Sequence, residues 1–140
     1  MNATAGSADG VRTIIDRLGI KTDDVVMEIG FDSDIDAALR EAVVSCVGEL
    51  HDEDTVDVVD TVLLWWREED GDLVDVLMDA RTPLTDEGVV WLLTPKPGRV
   101  GHIESAEIAE AAPTAGLQGT SSINAGTDWV ATRLVSPRGR

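Results

Sequence analysis

Three largely apolar runs, each followed by a segment of helical periodicity, constrain this chain more than any other feature. They are Val25–Gly30 (VVMEIG), Val59–Trp66 (VDTVLLWW) and Gly88–Thr94 (GVVWLLT). A strand covered on both faces needs apolar side chains at nearly every position, and parallel sheets are covered in that way. Ile35, Ala38, Leu39, Ala42, Val43 and Cys46 form one helical stripe, with Asp34 placed to cap it. Leu73, Val74, Leu77, Met78 and Leu84 form a second, with Asp72 near its start. A third helix is expected over Glu104–Ala112, ending near Pro113.

The remainder fits around that frame. Val11, Ile14, Ile15 and Leu18 have helical spacing, and Gly19 is placed to stop the helix. Residues 117–124 and 128–135 flank an Asn-Ala-Gly-Thr turn and read as an antiparallel hairpin. The reading is one α/β domain over residues 11–135. Its sheet is open and mostly parallel, with helices on both faces and the hairpin at the carboxyl end. Residues 1–10 are expected to be disordered, and 136–140 form a short basic tail. Residues 47–58 resist assignment.

Charge excludes two classes of partner. The net charge is −16, and residues 21–80 carry all of it, with 19 acidic side chains against Lys21, Arg40 and Arg67. Such a surface repels nucleic-acid phosphates and anionic membranes. It suits a basic protein partner, with Asp57, Asp60 and Asp75 as candidate docking charges. MNATAGSADG lacks the build of a signal peptide, no run is long enough to span a membrane, and Cys46 has no second cysteine to pair with. A cytoplasmic location is the expectation.

In sheets of this kind ligands bind beyond the carboxyl ends of the strands, where strand order reverses. The candidate crevice residues are therefore Glu28, Gly30, Asp32, Trp66, Arg67, Lys96, Arg99 and His102. Lys96, Arg99 and His102 form the one basic cluster in the body of the chain, suited to a small anion. Trp65 and Trp66 are adjacent on a strand, so each should lie under a different helix layer. His51 with Asp52, Glu53 and Asp54 lacks the ligand spacing of a metal site, and DSDID at 32–36 lacks the glycine and glutamate of a calcium loop. Cys46 has no cation nearby to activate it, and no nucleophile elbow surrounds Ser121 or Ser122.

Glu28-Ile29-Gly30 resembles the start of the E-x-G-x-G-x-G motif of Rossmann-like, S-adenosylmethionine-dependent methyltransferases. VDTVLLWW resembles the fourth strand of that class, and residues 73–95 resemble its following helix and fifth strand. End to end, through EIGFD, LLWWR and AAPTAGLQ, the sequence is similar to a small actinobacterial family of unknown function. The resemblance implies a Rossmann-like fold. Asp32 and Asp34, however, replace the second and third glycines and bring negative charge to where the cofactor's carboxylate would approach. Only residues 34–58 stand where the class has two further strand–helix units. Asp52 or Glu53 lies near the offset of its ribose carboxylate. The expectation is a non-catalytic, methyltransferase-like binding or regulatory module without cofactor. The alternatives are a minimal methyltransferase and a structural subunit of a larger assembly.

Overall fold

A computed structural model describes residues 14–52 and 58–137. The expectations for residues 1–10, Val11, Glu53, Asp54, Asp57 and residues 138–140 lie outside the described residues. The sheet has five strands: β1 Val26–Ile29, β2 Val59–Trp65, β3 Leu84–Pro95, β4 Gln118–Asn124 and β5 Trp129–Val135. Helix α1 is Ala37–Val47, α2 is Leu73–Arg81 and α3 is Ser105–Thr114, with a 3₁₀ turn at Glu68–Asp70. Strand order is β1-β2-β3-β5-β4. The first three strands are parallel, and β5 runs antiparallel to both neighbours. The expected sheet and hairpin are both present.

Alternation along the strands sends side chains to two cores. Met27, Ile29, Val62, Leu64, Val90, Leu92 and Leu134 face α2 and α3, which supply Leu73, Val76, Leu77, Ala80, Ile108, Ala111 and Ala112. Val26, Leu63, Trp65, Trp91, Leu93, Trp129 and Ala131 face α1 and the segment before β1, which supply Leu39, Val43, Leu18 and Ile20. Residues 14–18 are helical, and Gly19, at φ 71°, closes that turn by bonding back to Ile15 and Asp16. Trp91 Nε1 donates to the Leu18 carbonyl at 2.9 Å and ties this segment to the sheet.

Three local expectations are corrected. The cap of α1 is Asp36, whose carboxylate accepts the Leu39 N–H at 2.9 Å, while Asp34 is engaged elsewhere. Leu84 belongs to β3, which begins four residues before Gly88. Helix α2 stops because Pro83 has no N–H to continue it. Between Leu84 and Val89 the pairing with β2 is irregular, and Gly88 lies there with the Asp60 carbonyl 3.0 Å from where a Cβ would stand. Helix α3 runs one residue past Pro113, to Thr114.

The 47–58 connection contains a single bridge. His51 pairs in parallel with Met27, its N–H donating to Val26 O at 2.9 Å and its carbonyl accepting from Glu28 N at 2.8 Å. One residue thus stands on the outer side of β1 where a further strand would lie. Backbone groups thus flank β1 on both sides, His51 on one and β2 on the other. The crevice beyond the carboxyl ends of β1 and β2 is the region in which open parallel sheets bind ligands. Among the described residues, no helix is long and apolar enough to cross a membrane.

Candidate functional site

The crevice is built from the loops leaving β1 and β2. Gly30 ends β1 at φ 84°, and a Cβ there would overlap the Trp65 carbonyl oxygen, so the two strand ends meet backbone to backbone. Two carbonyls, Gly30 and Trp65, point into the space between them. Arg67 fills it. Its side chain is 7% exposed, and its Nη1 donates to Gly30 O at 2.8 Å and to Trp65 O at 3.3 Å. Its Nε donates to one Asp34 oxygen at 3.0 Å, and Nη2 donates to the other. Asp70 Oδ2 lies 3.2 Å from Nη1 and also accepts the Arg67 backbone N–H at 3.0 Å. The guanidinium carbon is 5.2 Å from the Trp129 ring centre, and the same indole donates to the Asp34 carbonyl at 3.1 Å.

This geometry answers the cost of burying a cation. A planar fork set against a carboxylate makes two parallel charge-assisted bonds, and Nη1 meets the Gly30 and Trp65 carbonyls and the Asp70 carboxylate. Burial opposes the Arg67 charge, but the bonds to Asp34 and Asp70 outweigh it and hold its pKa above the ordinary arginine value. The bond from Arg67 in turn lowers the Asp34 pKa.

Glu28 lies one layer deeper. It is the buried acid of β1, bound by Arg40 Nε at 2.9 and 3.0 Å and by Trp65 Nε1 at 3.0 Å. Arg40, its pKa raised by that bond, covers the exposed Phe31 ring at 4.7 Å. Glu28 therefore braces β1 against α1 and does not open into the crevice. Asp32 is exposed and turns back to the Ser33 N–H at 2.7 Å.

The loop after β3 closes the other side. A Cβ at Gly101 would stand 3.0 Å from the Arg67 Cβ, and the Gly101 carbonyl accepts the Glu68 N–H at 2.9 Å. Lys96, Arg99 and His102 share this loop, but two of them have partners. Arg99 pairs with Asp128 at 3.0 Å, and the His102 ring meets Pro95 O at 2.9 Å and Glu104 at 3.5 Å. Lys96 has no side-chain partner among the described residues. Trp65 and Trp66 do divide between the two faces, and Trp66 packs beside Gly71 with its buried Nε1 unpartnered among the described residues. Cys46 Sγ approaches Ile20 O at 3.8 Å, and no metal-binding cluster occurs among the described residues.

The acids divide between the fold and the surface. Asp60 accepts the Val25 N–H at 2.8 Å and is thereby committed within the fold. Asp72, Glu107 and Glu110 instead rim an open groove of about 460 Å³ between α2 and α3, floored by Leu73, Val74 and Ala111. Asp75 is exposed nearby on α2. The acidic groove thus draws on both halves of the sequence.

A family described as a protein of unknown function (DUF3052) matches residues 15–138. The chain belongs to this family. Uncharacterised proteins of Mycobacterium tuberculosis and Mycobacterium bovis are 54% identical to it over 139 residues, covering 99% of this chain and 87% of theirs. Solved structures similar to this member of the family include methyltransferases. An S-adenosylmethionine-dependent methyltransferase from Aquifex aeolicus superposes with TM-score 0.61 at 11% identity, over 89% of this chain and 88% of that one. Precorrin-6y C5,15-methyltransferase from Geobacter metallireducens gives 0.62 at 11%, over 92% and 88%. Mitomycin 7-O-methyltransferase gives 0.61 at 14% over 83% of this chain, which spans 50% of that protein. The DUF3052 chain thus has a Rossmann-like, methyltransferase-like fold.

The residues present do not fit the cofactor of that fold. Arg67 occupies the space between the strand ends, Asp34 is locked across it, and the loop after Gly30 carries two acids where the motif has glycine. No step through the cofactor follows from this site.

Proposed function

We propose that this DUF3052 protein is a non-catalytic, methyltransferase-like binding module that engages a basic protein partner. The single observation that carries this reading is Arg67, a buried cation bonded to Gly30, Trp65, Asp34 and Asp70 in the crevice where the fold takes a ligand. A crevice closed by the chain's own side chains leaves the outer surface to do the binding. The acid-rimmed groove between α2 and α3 supports a basic partner, because Glu107 and Glu110 have no ion-pair partner among the described residues and Asp72, which caps α2 through the Val74 and Asp75 N–H groups, adds its charge beside them. The basic loop supports an anion site less well, since Arg99 and His102 are already engaged.

The test separates position from net charge. Neutralising Asp72 (as asparagine, which still caps α2), Asp75, Glu107 and Glu110 together should slow association with an Arg/Lys-rich peptide and flatten its salt dependence. Neutralising Asp16, Asp23, Asp24 and Glu41 changes net charge equally and should leave most of the association rate. Equal effects from the two sets would reduce the surface to a solubility device and sink the docking reading.

A further inference from the structure

From Ala111 to Thr127 the chain carries no charged residue, although 27% of all its residues are charged. The fold gathers this run at one end of the molecule. It contains the end of α3, the turn after it and the whole of β4, which is an edge strand. Six of the seven β4 residues are exposed. Beside them Ala109, Pro113, Gly116, Leu117 and Pro137 line a groove of about 440 Å³ that is also free of charge.

Edge strands of monomers are usually blunted by charge, proline or a bulge, because unpaired N–H and C=O groups otherwise recruit another strand. Here β4 has neither charge nor proline, and its one irregularity, between Gly119 and Ser121, leaves Ser121–Asn124 regular. The opposite edge, β1, is partly covered by His51.

We propose that two copies of this chain pair through β4, antiparallel across a two-fold axis near Ser122, to form one continuous ten-stranded sheet. Electrostatics selects this edge. Two chains of −16 can approach only where repulsion is weak. The run from Ala111 to Thr127 brings no charge of its own to such a contact, and Arg133, whose Nη1 donates to Thr120 Oγ1 at 3.1 Å, sets a cation beside it. Pairing around Ser122 sets Ser121 opposite Ile123, and Thr120 opposite Asn124, so no like charges meet. This interface is separate from the acidic groove and does not depend on the reading of the crevice.

Sedimentation velocity on the full chain from about 10 to 500 μM tests it. The mass should rise from 14.9 kDa towards twice that value, more readily at higher salt. Ser122 is exposed and faces uncharged Thr132, so Ser122→Glu and Ser122→Lys should both fold, as circular dichroism would verify. Each should stay monomeric alone, and an equimolar mixture should recover the doubled mass. A wild type that remains monomeric throughout, variants that dimerise as it does, or a mixture that stays monomeric would each overturn the proposal.

Discussion

Arg67 is the residue on which the crevice depends, and removing it should be felt first as lost stability. Arg67→Ala leaves two backbone carbonyls and two carboxylates without their shared donor. The carboxylates are partly exposed and rehydrate, so the expected cost is about 2–4 kcal/mol, below the extreme for a fully buried pair. Arg67→Lys keeps the charge but loses the fork and should recover only part of it; urea denaturation measures both. Asp34 supplies a pH signature. Its carboxyl titrates lower in the folded protein than in the unfolded chain, where the ordinary value is about 3.9. Its contribution is therefore complete above that value and is lost as pH falls through the lowered folded value. Asp34→Asn should be less stable than wild type at pH 7, with the gap closing below about pH 4. A gap that persists unchanged at pH 2 would contradict the Arg67–Asp34 assignment. Arg67 was legible as a crevice residue because it follows a strand at its carboxyl end. Its partner was not, since DSDID offers three acids as caps and only the turn geometry assigns Asp36 to the helix and Asp34 to the cation. The Glu28–Arg40 pair did leave a trace. A carboxylate inside an apolar strand needs a cation, and Arg40 is the one arginine or lysine between Lys21 and Arg67.

At the scale of elements, the same distinction gives a direct comparison. Asp36→Ala removes the cap of α1 and should cost about 1 kcal/mol in urea denaturation, with little change in the Asp34-dependent pH profile. Gly126 packs against the Asp36 carboxylate, so the cap also seats the β4–β5 turn, and its loss should loosen amide-exchange protection in both places. Strand and helix identities were legible because burial on both faces writes itself into consecutive apolar residues. Leu84 misled because it falls seven residues after Leu77, one helical repeat, and only Pro83 between them marks the break. The four early residues of β3 were hidden for another reason: they pair irregularly with β2 and include Asp86 and Glu87, so no apolar run announces them.

For the whole molecule, the sequence order of strands and helices was enough to give three parallel strands and a reversed hairpin, since short crossovers admit few alternatives. The His51 bridge was invisible, being made by backbone groups in a charged segment. The shape of the acidic groove was equally hidden, because Glu107 and Glu110 come from a half of the chain that is neutral by count and meet Asp72 only through the packing of α3 beside α2. The central claim is that a methyltransferase-like fold has its ligand crevice filled by its own arginine. Isothermal titration calorimetry of the wild-type chain with S-adenosylmethionine and S-adenosylhomocysteine tests this most directly. No saturable heat should appear up to about 1 mM ligand, which limits any binding to weaker than about −4 kcal/mol. Saturable binding with a Kd below about 50 μM, roughly −6 kcal/mol, would contradict it.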